Sequence, residues 1–83
     1  MSLYLVATAT GEHEIPTAHV LSWVRGYLAS MIDHGGVEAA GSAELALSEM
    51  SPVPGETISQ ACYRALKVCH DARILTYRGI RRK

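Results

Sequence analysis

The segment Val20-Leu21-Ser22-Trp23-Val24-Arg25-Gly26-Tyr27-Leu28-Ala29-Ser30-Met31-Ile32 decides how this chain is read. Val20, Leu21, Val24, Tyr27, Leu28, Met31 and Ile32 recur at helical spacing. His19, Ser22, Arg25, Ala29 and Asp33 fill the opposite side. One apolar face on a helical period marks a helix packed on a core. Pro16 or Thr17 opens it, because a missing amide costs nothing in a first helical turn. His34-Gly35-Gly36 closes it, because glycine enters the left-handed backbone that ends a helix without a steric penalty. Trp23 lies on the edge of the stripe and reads as a core anchor in a chain that has no phenylalanine.

Before this helix, Leu3 to Thr10 is rich in β-branched and aromatic residues and reads as a strand. Leu3, Leu5, Ala7 and Ala9 share one face, and Tyr4, Val6, Thr8 and Thr10 the other, so both faces are fairly apolar. Gly11 ends the strand, and residues 11–16 read as a loop. Glu12, His13, Glu14 and His19 invite a metal or acid–base reading, but a loop offers no rigid frame for spaced ligands, and no metal is expected.

After the helix, Ser42 is a candidate N-cap for a short helix over Ala43–Met50, with Leu45, Ala46 and Met50 facing inward. Ser51-Pro52-Val53-Pro54-Gly55 stops it, since neither proline can donate a ladder hydrogen bond. A third helix starts around Gly55–Thr57 with Ile58, Ala61, Cys62, Ala65, Leu66, Val68 and Cys69 as its apolar face. Arg73 to Arg82 then alternates as a strand through Ile74, Leu75, Tyr77 and Ile80, interrupted by Gly79. The order is strand, helix, short helix, helix, strand: an α+β domain over 1–83 whose first strand can pair with its last.

Size limits what such a chain can do. It has 83 residues, 48% of them hydrophobic, but 11 of those are alanine. A chain this short hides only about 60% of the surface it exposes when unfolded. That excludes a deep pocket built by one subunit, a multi-step enzyme and a second domain. Gly35-Gly36 and Gly41 lack the spacing and lysine of a phosphate loop, and nothing arranges Ser, His and Asp as a nucleophile and its base. The reading is a non-enzyme without cofactors. No run approaches the ~20 apolar residues of a membrane span. No basic segment precedes an apolar one at the start, so the expected compartment is the cytoplasm. Cys62 and Cys69 are seven apart, about 10 Å along a helix, too far for a disulfide. They read as buried apolar thiols.

Charge is informative once it is placed along the chain. The net charge is zero. Yet residues 1–54 hold one basic side chain against six acidic ones, and residues 55–83 hold seven against two, balances of −5 and +5. Such polarity suits a polyanion or an acidic partner at the C-terminal half.

Thr57, Gln60, Arg64, Lys67 and Asp71 fall on one stripe of the third helix, opposite its apolar face. A helix fits the major groove, and Arg or Gln on its outer face can reach base edges in bidentate fashion. Ser59, Tyr63 and His70 flank the stripe, where their donors suit phosphates. Arg78, Arg81, Arg82 and Lys83 follow on the last strand or beyond it, suited to the backbone or the minor groove.

The stretch from Ser42 to Gly79 carries a resemblance. It combines a helix bearing Glu44-Leu45-Ala46, a turn with Ser51 and Pro52, the helix Ile58-Ser59-Gln60-Ala61-Cys62-Tyr63-Arg64-Ala65-Leu66-Lys67, and the run Ala72-Arg73-Ile74-Leu75-Thr76-Tyr77-Arg78-Gly79. Over about residues 17–80 the chain resembles the winged helix-turn-helix superfamily. The resemblance implies a first helix packed across a helix-turn-helix pair, a recognition helix at 57–71 and a C-terminal wing. It also implies a small DNA-binding regulator, of the transcriptional or excisionase-like kind carried by phages and mobile elements. The expected partners are double-stranded DNA and a second copy of the chain, since readers of this size commonly need two half-sites. The alternative is a small interaction module or inhibitor that docks an acidic protein through its charged faces.

Overall fold

The computed structural model describes residues 2–51 and 53–82, with the backbone alone for Ser2 and residues 78–82. Strand β1 (Ser2–Thr8) turns through Ala9-Thr10 into β2 (Gly11–Pro16). A single 3-10 turn at Thr17–His19 leads into α1 (Val20–His34), followed by α2 (Gly36–Glu49), α3 (Ile58–Asp71) and β3 (Thr76–Arg82). The sheet is antiparallel in the order β2-β1-β3. Three helices and a small sheet make the α+β domain expected from the sequence, with the first strand pairing the last.

Two elements differ from expectation. Residues 11–16 are strand β2 and not a loop, with Leu3 opposite Pro16 and Thr8 opposite Gly11. The alternation was there to read: Glu12 and Glu14 are exposed, Ile15 is buried and His13 is half-buried. The two-residue turn is held by Thr8, whose Oγ1 accepts from the Thr10 amide at 3.2 Å and donates to the Gly11 carbonyl at 3.3 Å.

The second difference is the middle helix, which is 14 residues long like α3 and begins at Gly36, not at Ala43 with a Ser42 cap. Gly36 takes the left-handed φ of 85°. The chain thus reverses at Gly35-Gly36 with no connecting loop, and α2 continues through the exposed Gly41 despite the entropy cost of a mid-helix glycine. Ala46 and Met50 face the core as expected, joined by Ala43, but Leu45, expected inward with them, is 63% exposed.

The core lies between the helices and one face of the sheet. Tyr4, Val6 and Ile15 meet Val20, Val24 and Leu28 of α1 and Cys62, Ala65, Leu66 and Cys69 of α3. Val6, Val20, Val24, Leu28 and Leu66 are fully buried, each contributing about 1.5–3 kcal/mol by leaving water. The opposite sheet face carries Leu3, Leu5 and Ala7.

A bulge explains the broken alternation on the last strand. Val6 opposes Tyr77 and Tyr4 opposes Ile80, so β3 spends one more residue than β1 between those pairs. The extra residue falls at Arg78-Gly79, and the register shift keeps positions 77 and 80 on one face although they are three apart.

Trp23 is half-buried against the core. Its ring stacks on Tyr27 with centroids 5.4 Å apart and 3° between planes, and meets His13 at 5.6 Å. This ladder ties β2 to α1 and accounts for His13, whose Nε2 also lies 3.3 Å from Thr8 Oγ1. Among the described residues no three His, Cys, Asp or Glu side chains converge as metal ligands. Among them, too, no helix is long and apolar enough to cross a membrane.

Candidate nucleic-acid interface

The α3 stripe divides in two when its hydrogen bonds are followed. Thr57 is the N-cap: its hydroxyl accepts from the Gln60 amide at 3.1 Å, and Gln60 Oε1 accepts from the Thr57 amide at 3.0 Å. This reciprocal capping box satisfies two amides that the first turn of a helix would otherwise orphan. Thr57 and Gln60 therefore start the helix.

Arg64 is engaged more heavily. Val53-Pro54-Gly55-Glu56 forms a tight turn in which the Glu56 amide donates to the Val53 carbonyl at 3.1 Å and Gly55 has φ 81°. That is the geometry of a type II turn, with proline second and glycine third. The turn delivers the Glu56 carboxylate to Arg64, which donates from Nε at 2.8 Å and Nη2 at 2.9 Å. Nη1 donates to the Glu49 carbonyl at 2.6 Å and Nη2 to the Ser51 carbonyl at 2.8 Å. Four of the five guanidinium donors are thus committed within the chain. The Glu49 carbonyl closes α2, where a cation also meets the negative end of the helix dipole. Arg64 braces α3 to the end of α2, and to meet a base it would have to release that brace. The hydrogen bonds and charge of Arg64 hold Glu56 below the usual carboxylate range.

The outward reading of the stripe thus changes at its first three positions. Sequence reasoning missed the brace because Glu56 and Arg64 are eight apart, beyond any helical pairing rule. Pro54-Gly55 was the available signal. Ile58, assigned to the apolar face, is 69% exposed beside this turn, because the first helical turn projects past the core.

What remains open on α3 is a neighbouring face. Tyr63, Lys67 and His70 are exposed at helical spacing. Tyr77, half-buried on β3, lies edge-on to both Tyr63 and His70, each with ring centroids 6.0 Å away. Hydrogen bonding of the Tyr77 hydroxyl to Tyr63, and then burial, raise the Tyr77 phenol pKa. Three rings and a lysine thus form one surface where α3 meets β3. Arg78, Arg81 and Arg82 belong to β3 by backbone, but their side chains and the whole of Lys83 lie outside the described residues.

The two cysteines are free and buried in the core, as their helical spacing predicts. Burial pushes the Cys69 thiol up to about 11 and raises Cys62 as well. Such thiols are poor nucleophiles and poor metal ligands at neutral pH. Comparison with protein-family models, with curated proteins and with solved structures finds no match for this chain.

Proposed function

We propose that this protein is a small, non-enzymatic, cytoplasmic DNA-binding regulator that engages the sugar-phosphate backbone with the face shared by α3 and β3. The observation that carries the reading is the surface of Tyr63, Lys67, His70 and Tyr77, placed in the stretch 55–83 whose charge balance is +5. Exposed aromatic edges beside a lysine suit phosphate and sugar, and electrostatic contacts of this kind dominate affinity. The winged-helix resemblance enters here as part of the proposal, supported by three helices and a strand directly after α3. Base reading through Gln60 and Arg64 carries less weight, since the capping box and the brace occupy those side chains.

A second copy of the chain belongs to the same reading. Both β2 and β3 are edge strands, and the face away from the helices carries Leu5 and Ala7, each half-buried, beside the buried Leu3. Two copies would double the phosphate contacts.

The test is fluorescence anisotropy with a random duplex at two salt concentrations. Binding should weaken steeply with salt, and Lys67→Ala should lower the slope by about one for every sequence. Affinity insensitive to salt would sink the reading. The protein-docking alternative would then lead, favoured by Val53 and Ile58, exposed by 50% and 69% along a groove floored by Leu21 and Met50.

A further inference from the structure

Among the described residues Arg73 is the one non-glycine with a positive φ, 61°. It ends α3 in a Schellman arrangement: its amide donates to the His70 carbonyl at 3.0 Å, and the Ile74 amide donates to the Cys69 carbonyl at 2.9 Å. That position normally belongs to glycine, because a Cβ in the left-handed region crowds the backbone. Arginine tolerates the strain without an evident internal return. Its side chain is exposed, and among the described residues the guanidinium has no hydrogen bond or ion-pair partner. Attraction to the C-terminal carbonyls of α3 would act on a cation anywhere in the last turn, where no left-handed residue is needed.

The side chain has a cleft beside it. An open cavity of about 580 Å³ lies between the end of β1, the last turn of α3 and the start of β3, lined by Arg73, His70, Thr76 and Asp71. Thr76 is exposed and its hydroxyl has no partner among the described residues, while Thr8 on the far wall is occupied within its own turn. His70 also touches Tyr77, so the cleft continues the surface described above. Asp71 is the one acidic group in the lining; it is exposed, so salt screens its repulsion of an anion.

We propose that this cleft is a phosphate site, with Arg73 as the bidentate anchor and Thr76 and His70 as flanking donors. A planar fork of N–H groups matches two phosphate oxygens, which an ammonium cannot do. The inference rests on the nucleic-acid reading for its source of phosphate, the DNA backbone, although the same groups would hold free phosphate. Strain at Arg73 then has a purpose outside the fold: it sets a cation-bearing residue in the wall of the cleft at the end of α3.

Two arms separate the site from the broader reading. In the first, inorganic phosphate is titrated into isotope-labelled protein while the Arg73 Nε–Hε and Thr76 amide signals are followed. Both should shift together and saturate, and Arg73→Gly should abolish the Thr76 shift. In the second, duplex affinity is compared among wild type, Arg73→Gly and Arg73→Lys. The glycine variant should bind several-fold more weakly with a salt slope lower by about one, and lysine should recover only part of the loss. Arg73→Gly should melt no lower than wild type, since it relieves the strained backbone, so weaker binding cannot be blamed on unfolding. Duplex binding unchanged in Arg73→Gly, with no shift from phosphate, overturns the site while the α3–β3 reading stands. A saturating phosphate shift without any duplex binding keeps the site and removes the DNA backbone as its source.

Discussion

The Gly35 amide donates to the Met31 carbonyl at 2.8 Å, and a Cβ on Gly35 would sit 2.6 Å from that same oxygen. The Cβ of Ala39 lies 2.8 Å away on the other side. Both contacts are shorter than a methyl group tolerates, and one is with rigid backbone. Gly35→Ala should therefore destabilise by about 1–3 kcal/mol, the usual cost of overpacking. Gly41→Ala should not, because that Cβ would meet no atom and a mid-helix glycine would be relieved. Urea denaturation of the two variants measures both signs. Equal stabilities would show that α1 and α2 do not need their close approach.

The Glu56–Arg64 pair should leave a mark on acid stability. Glu56 titrates below the ordinary 4.5 when folded, so the unfolded chain binds its proton more readily. The stabilisation is complete above that ordinary value and is lost as pH falls through the lowered one. Glu56→Gln should be less stable than wild type near neutral pH, and the gap should close on acidification. Denaturation midpoints recorded across the acid range would refute the pair's role if the two proteins lose stability in parallel.

Arg64→Ala should lower the melting temperature more than Lys67→Ala. The first strands Glu56 and two backbone carbonyls, Glu49 and Ser51, while the second removes an exposed side chain with no partner among the described residues. Thermal scans decide it. If the two losses are equal, the brace is only a surface ion pair.

Thr57→Ala should cost about 1 kcal/mol, the value of one N-cap, and Thr57→Ser should restore most of it. Chemical denaturation is sufficient, and an unchanged alanine variant would mean that α3 frays without consequence.

Both cysteines should resist a thiol reagent until the protein unfolds. Cys62 and Cys69 are each about 1% exposed or less, and burial raises both thiols. Modification followed by absorbance should proceed at the rate of opening. Rapid labelling of the native protein would contradict the packing around α3.

Residues such as Val20, Val24 and Leu28 made α1 legible from sequence alone, because a repeated apolar spacing admits one satisfying geometry. The same holds for the core face of α3 and for the first strand finding the last. Strand β2 was hidden because its alternation is carried by glutamates and histidine, which read as polar loop until a hairpin partner is supplied. The start of α2 was hidden because two glycines, which usually punctuate a chain, here form a reversal without a loop. At the candidate interface, polarity placed Thr57, Gln60 and Arg64 at the surface. Whether a polar side chain faces a ligand or its own backbone depends on the route of residues 50–56, which no periodicity encodes.

The central place of β1 has a consequence for how the chain is made. Of the three strands β1 is made first, and β2 can cover one of its sides almost at once. Its other side stays bare until Thr76–Arg82 appear, because β3 is the partner there. At about 5–20 residues per second that wait lasts several seconds, with Leu3, Tyr4 and Val6 on an open edge throughout. Closure of the sheet waits for β3, and it is a long-range event that local helix formation cannot hasten. Shortening the nascent chain by its final strand would leave an adhesive edge in place of a finished domain.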